Sequence, residues 1–221
     1  MRVDIWSDLV CPWCYIGKRR FETALAAFEH GRAVTVVHRA FQLDPTMPPG
    51  QLFRHRDVLV RKYGMSEPQL IAAQDRLTRI AAEEGLAYHL AETMTGNTLD
   101  AHRLVHLAGG QGVQDRVVER FYRAHFTEGR SLFGHESLVA LAAEAGLEGA
   151  AELLSTDRYA DAVRSDHQAA IGLGANGVPF FVIDGRYGVS GAQGSDVFVS
   201  ALARAWADRQ NEQHRSTGGG D

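Results

Sequence analysis

Val3 and Ile5 alternate with Arg2 and Asp4, which is the period of a half-buried strand, and the alternation stops at Ser7 and Asp8. Beyond Cys14 the period lengthens: Phe21, Leu25 and Phe28 are spaced by four and three residues, as on one face of a helix, and Gly31 marks its stop. The β-branched run from Val34 to Phe41 predicts a second strand, closed by Asp44-Pro45 and Pro48-Pro49-Gly50. From there to about residue 157 the patterns are almost all helical. Ser66-Glu67-Pro68-Gln69 is a capping box that opens a helix ending at Gly85. Shorter helices are expected over Leu99–Leu107, Asp115–Phe126 and Ser137–Ala145, and one from about Asp157 to Gly172. Val178 to Ile183 and Tyr187 to Val189 predict two strands joined by the hairpin turn Asp184-Gly185. A last amphipathic helix carries Val197, Leu202 and Trp206, and the polar stretch 210–221 is expected to be disordered.

Strands therefore cluster at the two ends of the sequence with about a hundred helical residues between them. The simplest packing is an α/β fold in which residues 1–46 and 158–209 share one mixed sheet and 47–157 form an all-helical insertion folded over Cys11. A length of 221 residues, 45% of them hydrophobic, suffices for such a core. The net charge of −4 argues against a dedicated phosphate-binding protein and makes nucleic acid a poor partner. No membrane span fits, because the longest uncharged stretch, His167 to Ile183, is interrupted by Asn176, Pro179 and three glycines. Arg2, Asp4 and Asp8 break up the first ten residues, so no signal peptide is visible and a cytoplasmic location is expected.

The only two cysteines form Cys11-Pro12-Trp13-Cys14 at the start of the first helix. Side chains three apart on a helix share a face within disulfide range. At the first turn Cys11 meets unpaired N–H groups and the positive end of the helix dipole, which favour a thiolate, and Pro12 loses nothing there by lacking an N–H. The alternatives are a half zinc site completed by His102 and His106, although the gap from Cys14 to His102 is far longer than in compact zinc modules, and an idle pair of thiols, although Cys-x-x-Cys in a βα context reads as redox-active. The two histidines read as ordinary residues of a helix face, and Lys18, Arg19 and Arg20 as a solvated face. Val178-Pro179, opening a buried strand, is a candidate cis bond beside an active site.

The front segment with Cys11-Pro12-Trp13-Cys14 and the back segment Gly177 to Gly185 resemble the DsbA family of the thioredoxin superfamily, in its cytoplasmic FrnE-like branch. That branch is similar to 2-hydroxychromene-2-carboxylate isomerases and kappa-class glutathione transferases. Phe41 to Pro45, Asn97 to Leu104 and Tyr187 to Gln193 extend the resemblance over nearly the whole chain. It implies a thioredoxin-like fold with a helical insertion and a thiol–disulfide oxidoreductase in which Cys11 attacks, Cys14 resolves and Pro179 faces them. Pro12, Trp13 and Val178 would meet the substrate, a protein or peptide thiol or disulfide. Asn97, Ser195 and Asp196 would hold glutathione as a co-substrate, with no tightly bound cofactor and no metal. On local preference alone Ser195 is a helix N-cap, Asp196 a first-turn acid and Asn97 a turn residue. Trp13 stands where strongly oxidising members carry histidine, and an indole supplies no positive charge. The isomerases carry serine at the first cysteine, so the pair present here favours exchange. A glutathione-dependent isomerase or transferase, and a non-enzymatic chaperone or metal-binding module, are the rival readings.

Overall fold

The computed structural model describes residues 1–217. Four strands form one mixed sheet in the order β2-β1-β5-β6, with β1 Arg2–Ser7, β2 Thr35–Ala40, β5 Phe180–Ile183 and β6 Tyr187–Ser190. β1 runs parallel to β2 and antiparallel to β5, pairing Val3 with Ile183 and Trp6 with Phe180. The β5–β6 connection is three residues, Asp184 to Arg186, one more than a two-residue hairpin: φ is positive at the expected Asp184 (51°) and Gly185 (70°), and the Arg186 N–H donates to the Ile183 carbonyl at 3.1 Å.

Period-2 alternation sorts the side chains to two faces. Val3, Ile5, Phe181 and Ile183 point to one, where α1 (Pro12–Ala27) and α9 (Ser195–Thr217) add Phe21, Phe198 and Leu202. Trp6, Phe180 and Val182 point to the other, where Ala170 of α8 (Ala160–Gly172) and Phe41 close the layer. Helix α1 ends at Ala27, with Phe28 as its cap, so Gly31 lies beyond it in a short 3-10 turn.

Between β2 and β5 the chain builds α2 (His55–Tyr63), α3 (Glu67–Glu83), α4 (Leu99–Gly110), α5 (Gln114–Phe126), α6 (His135–Glu144) and α7 (Ala150–Leu154) ahead of α8. The capping box at Ser66 and Gln69 opens α3, where Ser66 N–H donates to the Gln69 side chain at 2.9 Å. This segment is not wholly helical. Phe53–Arg54 (β3) and Met94–Thr95 (β4) form a two-residue antiparallel pair that ties the start of the insertion to its middle. Its core is continuous with the residues around the cysteines: Leu86, Tyr88, Leu104, Tyr122 and Phe126 pack with Cys11, Cys14 and Tyr15. The expected disorder from Gln210 is not found over 210–217, which continue α9; residues 218–221 lie outside the described residues.

Candidate active site

The loop after β1 delivers both cysteines. Cys11 occupies the N-cap of α1 in an extended conformation, Pro12 is the first helical residue, and the Cys14 N–H donates to the Cys11 carbonyl at 3.0 Å. Both are free thiols, and both are buried. Trp13, at the outside of the same turn, is 40% exposed, and Leu43 across the loop is 43% exposed.

Pro179 reaches the site from the other end of the sequence. The Val178–Pro179 bond is cis, and the Val178 carbonyl lies 3.7 Å from the Cys11 sulfur. Gly17, one turn past Cys14, allows this approach, since a Cβ there would stand 2.8 Å from the Pro179 ring. The Pro179 carbonyl accepts the Gly191 N–H at 2.8 Å. The chain then turns past Ala192, whose carbonyl receives Arg20 at 2.8 Å.

Ser195 and Asp196 follow at the first turn of α9. Gly194, not Ser195, precedes the helix, and the Asp196 carboxylate folds back over it, to 2.5 Å from where a Gly194 Cβ would stand. Asn97 is committed to the scaffold: it donates to the Met47 carbonyl at 2.6 Å and accepts from Gln42 at 3.2 Å and Leu99 N–H at 2.9 Å. It thereby clamps the strand-to-insertion connection.

Around the dithiol the insertion supplies two phenols that sequence patterns did not single out, and His102, which they read as a residue of a helix face. Tyr88 donates to the Pro12 carbonyl at 2.7 Å and stacks on Phe126 at 4.9 Å. Tyr122 stacks on Tyr15 at 4.9 Å, and its hydroxyl donates to the Asp8 carbonyl at 3.4 Å. Burial, reinforced by negative charge at the cysteines, pushes both phenols up, so they stay protonated hydrogen-bond donors.

Burial likewise pushes the Cys14 thiol well above the usual cysteine range, and its contact with Cys11 adds to the shift. A backbone hydrogen bond with Asp8 pulls the other way. Asp8, only 1% exposed, accepts Cys11 N–H at 3.1 Å through its carbonyl and Leu43 N–H at 2.7 Å through its carboxylate. His102 stands 3.4 Å from that carboxylate.

His102 and His106 therefore leave the helix face expected of them. They turn inward from α4, the first to Asp8 and the second to Asp166 of α8 at 2.9 Å. No group of three or more metal-ligating side chains is gathered among the described residues.

Lys18 is likewise not solvated. It is 3% exposed and lies between Asp115 at 3.1 Å, Glu119 at 3.0 Å and Glu22. Burial alone would lower its affinity for a proton; the carboxylates outweigh that and hold it above the ordinary lysine value. Tyr15 adds a hydrogen bond to Glu119 at 2.7 Å, so the helix that carries the dithiol is fastened to α5.

Residues 2–203 match the model of the DSBA-like thioredoxin domain. The chain belongs to that family. It is 50% identical to a probable DsbA oxidoreductase from Streptomyces coelicolor, whose crystal structure superposes with a TM-score of 0.90, covering 94% of this chain and 90% of that one. The uncharacterised protein YwbO of Bacillus subtilis is 28% identical over 207 residues, 92% of this chain and 96% of that protein. The cytosolic disulfide reductase DsbM from Pseudomonas aeruginosa, 21% identical, shares the fold with a TM-score of 0.61 over 97% of this chain and 99% of its own. It has also been solved with GSH. The family and the paired thiols make this a redox enzyme of the DsbA-like oxidoreductase group.

Proposed function

We propose that the protein is a thiol–disulfide oxidoreductase that works by dithiol–disulfide exchange through Cys11 and Cys14. The observation that carries this reading is the placement of two free thiols at the start of α1, with the Val178 carbonyl 3.7 Å from the outer sulfur. Cys11, at the N-cap, has unpaired helix N–H groups to stabilise negative charge on its sulfur and is the attacking thiolate. It attacks a substrate disulfide, forms a mixed disulfide and releases one substrate thiolate. Cys14, on the same helix face, then displaces the second substrate thiolate and closes the Cys11–Cys14 bond. Run backwards, the sequence oxidises substrate dithiols.

Pro179 walls the site. Trp13 and Leu43 offer exposed apolar surface to the substrate, and the Val178 backbone pairs with an extended peptide. Glutathione is the proposed small co-substrate, supported by the fold shared with a disulfide reductase solved with GSH. That likeness to a cytosolic enzyme supports a cytoplasmic site of action. Ser195 and Asp196 remain the proposed contacts for its charged end, whereas Asn97 acts from the scaffold.

Single substitutions test the roles. Cys11→Ser is expected to abolish exchange with a peptide disulfide, and Cys14→Ser to accumulate a mixed disulfide on Cys11 that mass spectrometry detects. Undiminished exchange without Cys11, or trapping on Cys14 instead, overturns the assignment.

A further inference from the structure

Trp13, Gly17 and Arg20 stand at i, i+4 and i+7 of α1, on one face of the helix that carries the dithiol. Trp13 is exposed, and the other two meet the loop between β6 and α9, residues 191–194. A Cβ at Gly17 would stand 3.4 Å from the Ala192 Cβ as well as 2.8 Å from the Pro179 ring, so loop and proline lie against the helix backbone itself. Arg20, expected on a solvated face, is mostly enclosed, its side chain 20% exposed. Its Nη1 donates to the Ala192 carbonyl at 2.8 Å and its Nε to Glu84, the C-cap of α3, at 2.6 Å. We infer that Arg20 is a positioning residue for exchange with peptide-like disulfides: it braces loop 191–194, and through that loop Pro179, against the dithiol helix. This deepens the exchange reading and rests on it.

Each link in the brace is a short contact. Arg20 holds the Ala192 carbonyl, the adjoining Gly191 N–H donates to the Pro179 carbonyl at 2.8 Å, and the Val178 carbonyl, one residue before Pro179, lies 3.7 Å from the Cys11 sulfur. The Gln193 side chain and N–H bond back to the Ser190 and Gly191 carbonyls, which folds the loop without fastening it elsewhere. Among the described residues, Arg20 supplies the side-chain hydrogen bond that reaches the loop from another element. A guanidinium suits the task because its fork of N–H groups serves a carbonyl and a carboxylate at once, whereas an ammonium is a single point of charge. Glu84 balances the charge, so the guanidinium can stay enclosed. A peptide segment pairing with Val178 needs that edge fixed in place; a disulfide with no backbone does not.

A rival account makes Arg20 a tie between α1 and the insertion, through Glu84 alone. That tie has other supports, since Tyr15 and Lys18 of α1 hold Glu119 of α5 at 2.7 and 3.0 Å, and Tyr88 holds the Pro12 carbonyl at 2.7 Å. The loop depends on Arg20 and on the Gly191 N–H. The two accounts part at the substrate. A lost tie lowers stability and affects every disulfide alike, whereas a lost brace shows where a substrate backbone must pair with Val178.

Two alkyl disulfides separate these accounts: oxidised glutathione carries peptide backbone on both sides of its disulfide, and bis(2-hydroxyethyl) disulfide carries none. Each is mixed with fully reduced protein, and oxidation of the dithiol is followed by acid quenching, alkylation and mass spectrometry. Arg20→Met keeps the aliphatic stem and is expected to lower the ratio of the two rate constants, glutathione over hydroxyethyl, about tenfold, the effect of one lost charge-assisted hydrogen bond. Glu84→Gln leaves the bond to Ala192 and should hold that ratio within about twofold, as for a part-exposed ion pair. Arg20→Lys, the gentler change should the methionine variant fail to fold, is expected to lie between them. Amide hydrogen exchange at Gly191, which reports the bond to Pro179, should quicken in both Arg20 variants and not in Glu84→Gln. An unchanged ratio, an equal fall with Glu84→Gln, or an unaltered Gly191 amide overturns the assignment. Should the unsubstituted protein react with neither disulfide, the exchange reading itself falls, and the Arg20 role with it; reaction with both, and no discrimination between them by the Arg20 variants, removes the Arg20 role alone.

Discussion

Helix α4 carries two histidines one turn apart, and each meets an aspartate from a different part of the chain, yet the two pairs are built differently. At the seam between α8 and the sheet, Asp166 meets three partners. His106 lies at 2.9 Å, Ala40 N–H donates at 3.0 Å and Arg39 stands at 3.3 Å. Burial pushes its carboxyl up, but these partners prevail and hold it below the usual carboxylate value. Beside the dithiol, the Asp8 carboxylate meets, among the described residues, the Leu43 N–H and a histidine at 3.4 Å, with a cavity alongside. A carboxylate held by an arginine, a histidine and a backbone amide can brace a structure. One that meets a single amide and a long histidine contact braces it less.

The contrast is open to breakage first at Asp166. Asp166→Ala leaves Arg39 and His106 facing one another and the Ala40 N–H buried alone, and is expected to cost about 3–5 kcal/mol in urea unfolding. Exchange per folded molecule should hold, since Asp166 lies away from the thiols. A variant of undiminished stability, or one whose exchange fails while its fold survives, would remove Asp166 from the role of a brace.

The acid limb of the stability profile sharpens the same point. The folded carboxyl of Asp166 lies below its unfolded value, so its contribution is present above about pH 4 and lost as pH falls through the lower folded value. The stability gap between the unsubstituted protein and Asp166→Asn should therefore narrow as pH falls below about 4. A gap that widens on acidification contradicts the sign. The smallest effect belongs to the dithiol side. Tyr88→Phe removes one buried hydrogen bond to Pro12, about 1 kcal/mol in thermal unfolding, with the ring stack on Phe126 kept. A loss several times larger would make Tyr88 a principal brace of α1.

What could be read from the chain divides along physical lines. The Asp184-Gly185 hairpin, the Ser66 capping box and the Cys11–Cys14 turn are local chemistry, fixed by residues a few positions apart, and the structure has all three, the hairpin with one residue more in its turn. Helix α2 was not legible because its apolar residues, Val58, Leu59 and Val60, are consecutive and trace no helical stripe. Residues 210–217 are polar all round and carry no packing pattern, yet they extend a helix already nucleated, which costs little. Asp8, His102 and Lys18 are the harder cases. Their character is set by partners 94 to 101 positions away, Asp8 with His102 and Lys18 with Glu119, and nothing in their neighbourhood announces it. An acid directly before the apolar Leu9-Val10-Cys11 was the available sign.

The strand order has a consequence for how the protein is made. β1 and β2 emerge from the ribosome early, but the inner neighbour of β1 is β5, encoded near the far end of the message. At 5–20 residues per second, roughly 10–30 s separate the appearance of Cys14 from that of Pro179. Throughout that interval the nascent chain carries its pair of thiols without the wall that will shelter them, open to whatever oxidants and chaperones gather at the tunnel exit.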